Sequence, residues 1–121
     1  MKIFLVSLLL ILISPITYAD WNDGYEITGR SGVMYFVAIA EAQKNNEDVY
    51  RSAVGEACAG AAICQVQFWI NRAPRSFPLT DSDVRLKVVH WRQNLNTGLR
   101  RWLVNCSTAD AYLFRKHREC M

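Results

Sequence analysis

The sequence predicts a small α/β domain, with α+β as the alternative class. We expect a two-layer sandwich of about three strands and two to three helices in the order β-α-β-α-β-α. Two observations support this: segments with strand and helix patterns alternate along the chain, and the second and third strands alternate in polarity, so that one sheet face is partly open. Four cysteines in 121 residues add the expectation that disulfides stabilise the domain.

The first nineteen residues have the pattern of a secretory signal peptide. Lys2 is followed by a largely apolar stretch over residues 3–13, a break at Pro15 and a small residue at Ala19. Because this stretch spans only about half of a bilayer core, a transmembrane anchor would have to include Pro15 and Tyr18. We therefore expect cleavage after residue 19, a single domain over residues 20–121, a periplasmic or otherwise extracytoplasmic location, and no membrane span in the mature chain.

The first half of the mature chain contains two predicted strands and one predicted helix. Residues 20–32 lack a clear pattern and are expected to be an irregular lead-in. The apolar run at 33–40 is typical of a strand covered on both faces, with a buried helix as its rival. Asn46 is a good N-cap for a helix that carries one apolar stripe and stops near Gly60. Residues 63–70 alternate, as a half-buried strand does.

The second half is expected to add a loop, two helices and a strand. Two prolines make residues 71–78 a loop. Thr80 or Ser82 can cap a helix whose stripe of Val84, Val88, Trp91 and Leu95 has helical spacing, with Gly98 in the turn that ends it. A third strand is predicted at 99–106. A short last helix is predicted from residue 107 through 114, ending in the basic residues 115–118.

The cysteines are Cys58, Cys64, Cys106 and Cys120, which allow three pairings. We predict Cys58 with Cys64 and Cys106 with Cys120, because each pair brackets a short segment. A zinc site that used these cysteines and His117 would need ligand spacings that the sequence does not have, and export would oxidise the thiols. No metal or other cofactor is therefore expected.

Charge is divided unevenly along the mature chain. Residues 20–56 carry seven acidic and three basic side chains, whereas residues 57–121 carry four acidic and ten basic ones. The basic half supplies the candidate contacts for a partner, from a proline-stiffened loop and from the segments near the tryptophans: Arg72, Arg75, Phe77, Arg92, Arg100 and Arg101. The competing interpretation is a solvated arginine face with Phe77 packed on the core. Export argues against nucleic acid as the partner.

No catalytic motif is apparent. His90 and His117 are the two histidines, and helix capping explains Asp81 and Asp83. The sequence therefore favours a non-catalytic binding protein whose partner is a protein of the cell envelope, for example an inhibitor or immunity protein against an envelope-acting enzyme. An accessory component of an envelope secretion or conjugation assembly is the alternative. A small hydrolase of peptidoglycan or glycan is the second alternative.

Overall fold

The computed structural model describes residues 23–108 and 113–121, so the predicted signal peptide lies outside the described residues. These residues build one mixed sheet of six strands in sequential order. The β2–β3 and β5–β6 pairs are parallel, and the other three pairs are antiparallel. The strands are β1 (Tyr25–Ser31), β2 (Met34–Ile39), β3 (Ile63–Ile70), β4 (Val89–Asn94), β5 (Leu99–Val104) and β6 (Arg118–Cys120).

The helices are few, and the predicted three-stranded β-α-β-α-β-α sandwich was wrong. Helix α1 spans Glu47–Ala57, helix α2 spans Asp81–Leu86, and a 3-10 turn covers Glu41–Gln43. The expected irregular lead-in is largely strand β1. The predicted final helix lies partly at residues 109–112, which are outside the described part, and the flanking residues form turns that lead into β6.

The predicted long helix after residue 80 is instead a short helix followed by a strand. It begins as expected, since Thr80 and Asp83 form a reciprocal capping box, but it ends at Leu86 because Lys87 has the extended ψ of 127°. The next residues pair with β3 and β5, and Val89 and Trp91 then face the same side at a period of two. The apolar residues of this segment are compatible with both a helix and a strand. Pairing with β3 and β5 decides in favour of the strand.

Helix α1 covers one face of the sheet and carries the parallel connection from β2 to β3. Asn46 caps it by accepting the Asp48 amide hydrogen at 3.2 Å, as predicted. Its buried side chains, among them Tyr50 and Ala53, pack on inward-facing residues of the strands such as Val37 and Phe68. This layer forms the core.

Both predicted disulfides are confirmed. Cys58 follows α1 and bonds to Cys64 at the start of β3, while Cys106 follows β5 and bonds to Cys120 in β6. The second bond fixes the short edge strand β6 to the residues that follow its neighbour. All four cysteines are therefore in disulfides.

The other face of the sheet is covered only in part, by residues 71–88, which we call the covering segment. The Phe77 ring packs edge-on against buried Phe36, with centroids 5.3 Å apart. The Trp69 indole N–H donates to the Asp83 carbonyl oxygen at 2.7 Å. Gly29 of β1 lies beneath the segment, because a Cβ there would stand 2.0 Å from the Arg75 carbonyl oxygen. The face that remains uncovered belongs mainly to β3, β4 and β5.

Candidate functional site

The uncovered part of the sheet, which we call the open face, lies opposite α1. Side chains alternate along a strand, so the residues next to the buried core positions of β3, β4 and β5 project to this side. They are half-buried or exposed, apart from Gln67, which is buried. The open face consists of Ile63, Gln65, Gln67, His90, Arg92, Asn94, Leu99, Arg101 and Leu103, with Glu119 of β6 beside Leu103 at the edge.

Two arginines stand side by side at its centre. Arg92 of β4 and Arg101 of β5 are direct cross-strand partners, and Gln65 is the next residue in the same row. Like charges in this arrangement repel each other. Arg101 Nη1 lies 3.3 Å from Glu119 Oε1, whereas no carboxylate within residues 23–108 and 113–121 pairs with Arg92. The open face therefore carries positive charge that its own side chains do not balance.

A second row places polar groups beside these arginines. Gln67, His90 and Leu103 are cross-strand neighbours on β3, β4 and β5. Gln67 is 3% exposed, and its amide nitrogen donates to the sulfur of Met34. Its carbonyl oxygen Oε1 is buried with no hydrogen-bond partner in the described part of the chain. Such an unsatisfied acceptor costs about 1–3 kcal/mol.

His90 is held as a neutral donor in this row. Its Nε2 lies 2.9 Å from Gln65 Oε1, an oxygen that only accepts, so Nε2 carries the hydrogen. Burial lowers the pKa of His90 to about 4, with smaller contributions from the nearby charges of Lys87 and Arg92. The imidazole is therefore uncharged at neutral pH, and its hydrogen bond orients the Gln65 amide.

The covering segment forms one margin of the open face. Phe77 packs on Phe36, as the competing interpretation expected, yet it remains 45% exposed. The backbone of Arg75 crosses β1 at Gly29, and the side chain of Arg75 is exposed. Because Phe36 and Gln67 are neighbours in the β2–β3 register, Phe77 lies close to the polar row.

The structure thus brings together some of the six predicted contact residues and separates others. Arg92 and Arg101 share the open face, and Arg75 and Phe77 lie on the covering segment beside it. Arg72 lines a separate cleft of about 520 Å³. Arg100 projects to the α1 side, since it alternates with Arg101 along β5.

Sequence reasoning missed the role of three other residues. The alternation of β3 did place Gln65 and Gln67 on one face, but nothing in the sequence showed that Gln67 would be buried. The helical stripe predicts a helix at His90 and so gives no indication that His90 lies in a sheet row opposite Gln67. The signal that could have shown it is the period of two in Val89, Trp91 and their polar neighbours.

The open face presents hydrogen-bonding side chains and arginine charge. The side chain that hydrogen-bonds to His90 is an amide and not a carboxylate or hydroxyl. The described residues contain no group of three His, Cys, Asp or Glu side chains placed to hold a metal ion. In the same part of the chain, no helix is both long and apolar enough to cross a membrane.

Comparison of the chain with known protein families, curated proteins and solved structures gives no significant match.

Proposed function

We propose that this chain is a small extracytoplasmic binding protein, and that its open face binds an acidic surface of another protein. The observation that carries the proposal is the pairing of Arg92 with Arg101 on an uncovered sheet face. A carboxylate of the partner placed between them would relieve their mutual repulsion and gain charge-assisted hydrogen bonds.

The apolar members of the open face support a protein as the partner. Ile63 is 45% exposed, and Leu99 and Leu103 are half-buried beside the arginines. Phe77 adds an exposed aromatic ring at the margin. Protein interfaces combine apolar contact area with arginine and aromatic side chains in this way, and those residue types dominate binding energy.

The disulfides support the extracytoplasmic part of the proposal. Two disulfides in so small a chain are typical of proteins that mature in an oxidising compartment, and the predicted signal peptide would direct the chain there. In such a compartment, inhibition of an envelope-acting enzyme, or immunity against one, is the specific role that we propose. Capture of an envelope-acting enzyme would support this role, whereas capture of an assembly protein would support the alternative, a component of an envelope assembly.

Capture from an envelope extract tests the proposal. Mature protein is immobilised at low salt and compared with the variants Arg92→Glu and Arg101→Glu. Arg100→Glu is the matched control, since Arg100 is an exposed cation of β5 that projects to the α1 side of the sheet, away from the open face. We expect a stoichiometric partner that binds about 30-fold more weakly to the Arg92→Glu variant, as loss of a hot-spot arginine costs about 2 kcal/mol.

Two results would contradict the proposal. One is the absence of any stoichiometric partner at both low and high salt. The other is a partner whose affinity falls equally with Arg100→Glu and Arg92→Glu, which would indicate attraction by net charge alone.

A further inference from the structure

A second candidate site lies on the α1 side, away from the open face. It is a cavity of about 460 Å³ lined by Glu47 and Arg51 of α1, Trp102 of β5 and the turn residues 114–117. This volume is within the range of small-ligand pockets. Its charged lining side chains are Glu47 and three cations, namely Arg51, Arg115 and Lys116.

One of these cations, Arg51, contacts two carboxylates and an aromatic ring. Its guanidinium lies 3.5 Å from the Glu47 carboxylate, 3.4 Å from that of Asp48, and 5.3 Å from the centre of the Phe114 ring. Phe114 in turn stacks on Trp102, with centroids 3.9 Å apart and planes at 9°. An arginine held in this way loses little entropy when it binds a ligand, and its five N–H donors exceed what these carboxylates occupy.

The turn opposite α1 is rigid and basic. The His117 amide donates to the Phe114 carbonyl oxygen at 3.1 Å, and the Arg118 guanidinium donates to the Leu113 carbonyl oxygen at 3.2 Å. The disulfide of Cys120 anchors the strand that follows. Lys116 and His117 project from this turn and are exposed, and no carboxylate in the described part of the chain pairs with Lys116.

One carboxylate oxygen of Glu47 is already engaged. Its Oε1 accepts the Phe114 amide hydrogen at 3.0 Å and faces the Arg51 guanidinium. The unbalanced positive charge therefore comes from Lys116 of the turn, while Arg51 contributes directed donors from α1. A lysine that acts as a point charge and an arginine that offers parallel N–H groups are the side chains that suit a tetrahedral oxyanion, and both line this cavity.

We propose that this cavity binds a phosphate monoester or diester attached to a small polar group, such as a sugar phosphate or a phospholipid head group. Lys116 and Arg51 hold the phosphate oxygens, His117 adds a third donor at the turn, and the remaining volume holds the attached group. The site is independent of the proposed function, because it uses the opposite face of the sheet.

Backbone amide NMR of the mature protein tests this assignment. The probes are inorganic phosphate, glucose 1-phosphate, neutral glucose, and vesicles of phosphatidylglycerol or of phosphatidylcholine. We expect saturable shifts at residues 51 and 114–117 with a phosphate-bearing probe and none with glucose. Shifts with glucose 1-phosphate indicate a soluble ligand. Shifts with phosphatidylglycerol vesicles alone indicate a lipid head group.

Two variants make the test specific. Lys116→Gln is expected to weaken binding of the responding probe by about tenfold, since a hydrogen bond to a charged group is lost. Arg85→Gln removes an exposed cation elsewhere and is expected to leave the affinity unchanged. The proposal is overturned if no phosphate-bearing probe gives saturable shifts, or if both variants weaken binding equally.

Discussion

Gly29 supports the whole margin of the open face, and its replacement by alanine should disrupt that margin. An ideal Cβ at this position would lie 2.0, 2.6 and 2.9 Å from the carbonyl oxygen, carbonyl carbon and Cα of Arg75. All three atoms are backbone, so no side-chain rotation relieves the clash. The covering segment would have to move away from β1 by about 1 Å, given the normal van der Waals separation.

The cost follows from the contacts that this movement breaks. The Thr28 hydroxyl donates to the Pro74 carbonyl oxygen at 2.7 Å, a bond worth about 1 kcal/mol. The Phe77 ring would also withdraw from Phe36, and overpacking of this kind costs about 1–3 kcal/mol. We therefore expect Gly29→Ala to lower the free energy of unfolding by about 2–4 kcal/mol and the Tm by about 10–25 °C.

Gly55→Ala is the matched control, measured by urea and thermal unfolding under the same conditions. Gly55 lies on the exposed side of α1, and a Cβ added there would meet no atom within 4 Å. Alanine at this position should raise stability by about 0.5–1 kcal/mol. Unchanged stability of Gly29→Ala would refute the packing of the covering segment on β1.

Two further predictions concern the polar row of the open face. Wild-type stability should fall by up to about 3 kcal/mol as pH drops from 6.5 to 4, because the unfolded chain protonates His90 in that range and the native state does not. Urea unfolding at several pH values measures this slope, and His90→Gln should flatten it; a slope that is unchanged in His90→Gln would contradict the assignment to His90. Gln67→Met removes an unsatisfied buried acceptor, so the free energy of unfolding measured in urea should stay unchanged or rise by about 1 kcal/mol. A loss of more than about 2 kcal/mol would contradict the assigned environment of Gln67.

The sequence predicts an element of local structure well when the pattern that defines the element lies within one segment of the chain. The Asn46 cap and apolar stripe define α1, the alternation of residues 63–70 defines β3, and short cysteine spacings indicate both disulfides. Strand β1 carried no such signal. The alternation of β1 is interrupted by a bulge between Ile27 and Gly29. Position 29 requires a glycine because the backbone of Arg75, which is distant in sequence, leaves no room for a Cβ atom.

The candidate site depends on pairing that no single segment encodes. Arg92 and Arg101 were both predicted contact residues, but their adjacency requires β4, which the apolar spacing of Val84, Val88 and Trp91 made look helical. Once β4 pairs between β3 and β5, the register alone brings the arginines, Gln67 and His90 to one face. Tertiary pairing therefore determines the site, and composition supplies only its residue types.

Site-specific photo-crosslinking tests most directly whether the open face is where a partner binds. Benzoylphenylalanine is placed at Leu103, in the centre of the open face, and in a separate variant at Ser52, which is exposed on α1 on the other side of the sheet. We predict that irradiation in an envelope extract links the captured partner to position 103 and not to position 52. Crosslinking from position 52 without crosslinking from position 103 would contradict the assignment.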